Sequence, residues 1–177
     1  MFKIVTYPDP ILRKKSAPVD KFDDELKAFL SEMARAMYKY DGIGLAAPQV
    51  GINKRIIVVD VGKGLLKLIN PEIIELGGEE EEMDEGCLSL PGVYVPVKRK
   101  VGFIRFRALD LTGKEKIWTG RGLLARVMQH EIDHLDGILM IDRTHKLIEG
   151  EAKEKLKRLE EGYANQLSKQ REESVKM

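Results

Sequence analysis

Apolar residues recur along this chain with two different periods, and the switches between them outline the fold. Phe22, Leu26, Phe29, Leu30, Met33, Met37 and Tyr40 follow a helical spacing, which predicts an amphipathic helix over residues 22–40 with Asp20 as its N-cap. Before it, Pro8, Pro10 and Pro18 keep residues 1–19 irregular. The unbroken run Ile56-Ile57-Val58-Val59 reads as a strand over 55–61. A second strand spans 65–75, interrupted at Asn70-Pro71, and Gly77-Gly78 marks a turn. Glu79 to Glu82 read as a solvated strand or loop. A short strand at 93–97, an alternating one at 98–109, a turn at Asp110-Leu111-Thr112-Gly113 and a returning strand at 114–119 complete a hairpin. Helical spacing resumes over 121–135 and stops at Asp136-Gly137. After the apolar segment 138–141, the narrow stripe Ala152, Leu156, Leu159, Tyr163 and Leu167 predicts a long, charged C-terminal helix. Hairpins rather than βαβ crossovers join the strands. The predicted fold class is therefore α+β: mostly antiparallel sheets around a central helix at 121–135, with a C-terminal helix, and residues 1–177 as one domain.

Composition narrows the function classes. The chain has 177 residues, 43% of them hydrophobic and 33% charged, and a net charge of +1. That balance suits one domain with a real core and supplies no overall field toward DNA or a membrane surface. No apolar run approaches the roughly 20 residues of a membrane span. The start, Met1-Phe2-Lys3-Ile4-Val5, lacks a secretory hydrophobic region. A single cysteine excludes an internal disulfide and points to the reducing cytoplasm.

The chemistry concentrates in the central helix. Leu123, Val127, His130 and His134 share one face, so two imidazoles continue an apolar stripe where unpaired polar groups would each cost about 1–3 kcal/mol. Histidines at i and i+4 can grip one divalent metal ion, and the intervening Glu131 of His130-Glu131-Ile132-Asp133-His134 can take a proton from water activated there. Cys87, in Glu85-Gly86-Cys87-Leu88-Ser89-Leu90-Pro91, is a third ligand that would leave one position for solvent; Gly86 would allow tight backbone geometry there. A Cys87 nucleophile with His130 as base is the alternative, and it leaves the histidine pair and Glu131 unexplained. His145 reads as a surface residue. The glycine-rich stretch 42–51 permits close backbone approach to something, but lacks the pattern of a phosphate loop.

Three segments together resemble the signatures of peptide deformylases: Gly42-Ile43-Gly44-Leu45-Ala46-Ala47-Pro48-Gln49, Glu85-Gly86-Cys87-Leu88-Ser89 and Gln129-His130-Glu131-Ile132-Asp133-His134-Leu135. Their order and separations match the bacterial type with a C-terminal helix. The resemblance implies one metal ion on Cys87, His130 and His134, with Glu131 as acid–base group. It implies Gln49 and the Leu88 backbone N–H as oxyanion donors. Ile43 and Gly44 would pair with the substrate backbone, and Leu88 and Val127 would line the methionine pocket with Arg126 at its rim. The implied reaction is release of formate from the N-formylmethionine of nascent polypeptides. Iron(II) is the implied native ion, with zinc, nickel or cobalt able to substitute. Charge alone suggests that Glu85 orients the cysteine segment through Arg99. A metallopeptidase and a metal-stabilised peptide-binding or ribosome-binding module are the rival classes; a cysteine ligand and the Gln49 loop argue against the first, and Glu131 with Gln49 against the second. Lys153, Lys155, Lys157, Arg158, Lys169 and Arg171 make the C-terminal helix a candidate ribosome contact, while its many glutamates favour a plain solvated surface helix.

Overall fold

The computed structural model describes all residues, Met1–Met177. Its centre is a five-stranded antiparallel sheet. The strands are β1 (Gly44–Ala46), β2 (Ile56–Val59), β3 (Leu66–Gly77), β6 (Phe103–Leu109) and β7 (Glu115–Gly120), in that spatial order. A separate hairpin pairs β4 (Glu80–Cys87) with β5 (Leu90–Lys100). The helices are α1 (Asp24–Lys39), α2 (Leu123–Leu135), the single turn α3 (Met140–Arg143) and α4 (Gly150–Val175). The α+β, mainly antiparallel expectation is met. No helix is long and apolar enough to cross a membrane.

The continuous apolar run of β2 has a simple cause: both faces of the strand are buried. Ile57 and Val59 face α2 in one core, with Leu68, Phe106 and Met128. Ile56 and Val58 face α1 in another, with Leu30, Met33 and Met37. Each such fully buried side chain contributes about 1.5–3 kcal/mol. A third core lies between β5, the N-terminal segment, α3 and the first half of α4, where Ala152, Leu156 and Leu159 dock. Helix α2 lies between the two sheets, touching β1, β2 and β3 as well as β5. Polar residues on α2 are consequently buried along with its apolar ones.

The structure corrects several boundaries. The N-cap of α1 is Asp23, whose carboxylate accepts the Leu26 N–H at 2.9 Å; Asp20 is exposed, because Phe22 is drawn into the core ahead of the first turn. The stretch after Gly42 forms a short strand followed by a 3₁₀ turn at Ala47–Val50. The predicted strands 93–97 and 98–109 break in a different place. Strand β5 runs on through Lys100 because β4 pairs with it along its whole length, placing Glu80 opposite Lys100, Glu81 opposite Arg99 and Glu82 opposite Lys98. The chain turns only at Gly102, where a Cβ would lie 2.7 Å from the Gly78 Cα.

Strand β3 also runs through the predicted interruption. Asn70 adopts a left-handed conformation, φ +50°, and the pairing with β6 slips between Ile69 and Glu72. Its side chain then clasps Val19 twice, accepting the N–H at 2.8 Å and donating to the carbonyl at 2.9 Å. Replacing Asn70 with Ala removes both bonds and leaves a poor residue for that conformation. Chemical denaturation of N70A should show a loss of about 2–3 kcal/mol, and a loss below about 0.5 kcal/mol would discount the clasp.

Candidate metal centre

Strand β4 and helix α2 meet at one point. Cys87 is the last residue of β4, and the Leu88-Ser89 turn leads into β5. His130 and His134 stand one turn apart on α2, with ring centroids 5.1 Å apart. The Cys87 Sγ lies 3.3 Å from His134 Nε2, and one ligand atom from each of Cys87, His130 and His134 falls within 4.8 Å of the others. A single ion with bonds of about 2.0–2.3 Å fits such a cluster. His134 Nδ1 is buried without a hydrogen-bond partner, so nothing in the protein competes to turn Nε2 away from the sulfur. One thiolate and two imidazoles suit zinc, iron(II), cobalt or nickel. Residues that are 43 and 47 positions apart in sequence thus form the three-ligand group expected from the motif.

Behind the ligands lies a buried ion network centred on Glu85. Arg99 donates to both carboxylate oxygens at 2.9 and 3.0 Å, as charge had suggested. Two further partners were not foreseen. Arg126 donates at 2.7 Å, and the His130 Nδ1 lies 2.9 Å from Glu85 Oε1. A carboxylate on Nδ1 fixes the tautomer and leaves Nε2 free for a metal. Arg99 also binds Asp133 at 2.8 Å, and Asp133 is held from outside by Arg143. Burial opposes ionisation of Glu85, but hydrogen bonds from His130 and Arg99 outweigh it and hold the carboxyl well below its usual range. Burial likewise disfavours a charged His130, yet its contacts with Cys87 and Glu85 push its pKa up; His134 is pushed down, chiefly by burial.

Glu131 faces the same space, with Oε2 buried and unpartnered. Burial pushes its pKa up to about 7, while the neighbouring His130 pulls the other way. Its carboxylate packs against the backbone of Gly44: a Cβ there would lie 2.7 Å from Glu131 Oε1. This is the close approach that the glycine-rich segment allows. Gln49 is fixed in place, its Oε1 accepting the Ala46 N–H at 2.9 Å and its Nε2 directed at Cys87 Sγ (3.4 Å) and Ser89 Oγ (3.1 Å). Buried Ser89 carries no sequence signal of this role.

A cavity of about 560 Å³ opens onto these groups, and Ile43, Gly44, Gln49, Cys87, Leu88, Val127, His130 and Glu131 all line it. Some expectations need correction. Leu123 is 42% exposed at the cavity edge rather than buried on the α2 stripe. Arg126 does line the cavity, but its guanidinium is spent on Glu85, Val97 O and Glu81 O, because two acceptors and a carboxylate lie behind it. Gly86 has no positive φ; its missing side chain makes room for the Tyr94 ring, 2.7 Å from where a Cβ would sit. His145 is a surface residue, 2.9 Å from Glu82.

The chain has clear similarity to known proteins. Residues 1–149 match the family model described as polypeptide deformylase. The chain is 47% identical over 148 residues to a peptide deformylase of Carboxydothermus hydrogenoformans, covering 84% of this chain and 96% of that one. It is 54% identical over 135 residues to one of Dictyoglomus thermophilum, covering 76% and 87%. Among solved structures, the Thermotoga maritima peptide deformylase superposes with a TM-score of 0.80 at 46% identity, covering 82% of this chain and 99% of that one. A plant peptide deformylase gives 0.87 at 41% identity, with 93% and 92% covered.

The Glu85 network yields a measurable expectation. Glu85→Gln keeps the shape but removes the charge behind His130, so metal affinity should fall about 10- to 100-fold in competition with a chelator. Unchanged affinity in a folded variant would show that Glu85 serves packing alone.

Proposed function

The chain belongs to the peptide deformylase family, and on that premise we propose how its own residues carry out the family's reaction, removal of formate from N-terminal formylmethionine. The observation that carries the assignment is the meeting of Cys87, His130 and His134 beside the buried, unpartnered carboxylate oxygen of Glu131. Cys87, His130 and His134 hold a divalent metal ion, which when bound supplies Lewis acidity to the formyl carbonyl and acidifies the attacking water. Glu131 takes the proton of that water and passes it to the departing amine. Its burial supports the role, since a carboxylate poised near neutrality both accepts and returns a proton readily. The Gln49 amide and the Leu88 backbone N–H donate to the oxyanion as the carbonyl becomes tetrahedral. One such donor is commonly worth about 3–4 kcal/mol of barrier.

Substrate placement follows from the sheet. Strand β1 is an edge strand, bonded only to β2, and its other side borders the cavity. Main-chain groups of Ile43 and Gly44 bind the peptide there as an added strand, which reads backbone rather than side chains. Leu88 and Val127 receive the methionine side chain. In this reading residues 1–177 act as one catalytic domain in the cytoplasm on nascent chains. The exposed Lys153, Lys157, Arg158, Lys169 and Arg171 of α4 contact the ribosome. The native ion is iron(II), as the family resemblance implies, with zinc, nickel or cobalt as substitutes.

Two experiments test this reading. Glu131→Gln should retain one metal ion per chain yet release formate from formyl-Met-Ala-Ser at least about 10²-fold more slowly; near-normal turnover would remove Glu131 from proton transfer. Iron-loaded protein should lose activity on exposure to air as its thiolate-ligated ion oxidises, whereas full activity with iron still bound after aeration would count against iron(II) as the working ion.

A further inference from the structure

The charge network behind the metal ligands does not stop at Glu85. Arg99 binds Glu85 through Nε and Nη2 and turns its remaining nitrogen, Nη1, to Asp133 at 2.8 Å. Asp133 lies on α2, three residues after His130 and one before His134. Its carboxylate has a second holder. Arg143, on the single turn α3, donates from Nη2 to Oδ1 at 2.8 Å and from Nε to Oδ2 at 3.1 Å. Charges thus alternate along one line of contacts, Arg143, Asp133, Arg99 and Glu85, and the line ends on His130 Nδ1.

Arg143 is the exposed end of this line. Its side chain is 46% exposed, against 12% for Asp133 and 5% for Arg99. An exposed ion pair is ordinarily worth little. This one differs in two respects. Two nitrogens of the fork meet the two carboxylate oxygens, a geometry that adds direction as well as strength. The partner, moreover, is nearly buried. Without Arg143, Asp133 Oδ1 keeps no donor, and leaving a buried acceptor unpaired is costly. Arg99 alone must then serve two carboxylates, and what it turns toward Asp133 it withdraws from Glu85. Helix α3 is anchored independently of this contact. Asp142 accepts the Leu139 N–H at 2.8 Å and pairs with Arg13, and the Leu139 and Met140 side chains are buried.

We propose that Arg143 is a positioning residue for the metal ligands. It holds Asp133 so that Arg99 stays on Glu85, and Glu85 keeps His130 turned with Nε2 toward Cys87 and His134. This rests on the reading of Cys87, His130 and His134 as the ligand set of a deformylase. Arg143 touches neither the substrate nor the reacting atoms and acts only through the intervening side chains. Its effect on metal binding is therefore smaller than that of Glu85, which contacts a ligand directly.

The test uses the full-length protein, with zinc affinity measured by competition against a chromophoric chelator. We expect affinity to fall in the order wild type, Arg143→Lys, Arg143→Gln, by about 3- to 10-fold from first to last. Lysine keeps the charge but loses the fork, which places it between the other two. With cobalt(II) in the site, the visible absorption of Arg143→Gln should shift from that of wild type, because those bands report the arrangement of the sulfur and nitrogen ligands. A role in folding alone would lower the thermal midpoint of the metal-free variant and leave both the zinc affinity of the folded protein and the cobalt spectrum unchanged. That result would overturn the inference and leave the deformylase reading standing. A wild-type protein that binds neither ion would overturn the ligand set, and this inference with it.

Discussion

Everything at the metal centre leans on one buried carboxylate. Glu85 is 5% exposed and is bound at once by Arg99, Arg126 and His130. Those partners come from strand β5 and helix α2, so a single side chain of β4 ties the hairpin to the helix that crosses beneath it. A charge cluster this deep is tolerable only because every member is paired; removing one partner from such a set typically costs about 3–5 kcal/mol. The same pairing performs the chemistry of alignment. With its Nδ1 committed to Glu85, His130 has one nitrogen left, and it faces the side where Cys87 and His134 converge. Stability and ligand orientation are two results of one interaction.

The opposite wall of the site is built by absence. Gly44 lies where any side chain would collide with Glu131, so the edge strand β1 can pass directly over helix α2. That approach does two things. It packs the strand backbone against one carboxylate oxygen of Glu131, and it brings an unpaired strand edge to that side chain. Gln49, three positions after Ala46, turns back to accept that residue's N–H and aims its amide at the sulfur. Short-range hydrogen bonding within one segment thus sets both the strand edge at the cavity and the direction of the Gln49 amide.

The C-terminal helix stands apart from this machinery. The family match ends at residue 149, and α4 begins at Gly150. None of its residues is fully buried; it docks through Ala152, Leu156 and Leu159, and through Tyr7, whose hydroxyl donates to Glu160 at 2.7 Å. Lys155 donates to the Gly92 carbonyl at 2.9 Å, near the start of β5 where it borders the cavity. The helix therefore touches the rim of the site without supplying any group to its floor.

Much of this was legible along the chain because the signals are local. Helical spacing located α1 and α2 to within two residues, the apolar run gave β2, and the i, i+4 histidines flanking Glu131 disclosed the chemistry, since side-chain direction on a helix follows from the period alone. Three motifs together also identified the family. Other features depended on partners far away in sequence. Where β5 ends was settled by its backbone pairing with β4, which runs on to Glu80 opposite Lys100. The continuity of β3 was settled by the hold of Asn70 on Val19, 51 residues earlier. That Arg126 would turn to Glu85, that Ser89 would support Gln49, and that Gly86 would seat Tyr94 had no local signature. Each is a contact between segments that only the packed sheets bring together. Local periodicity decides which groups an element presents, and burial in the assembled fold decides what each of them must bind.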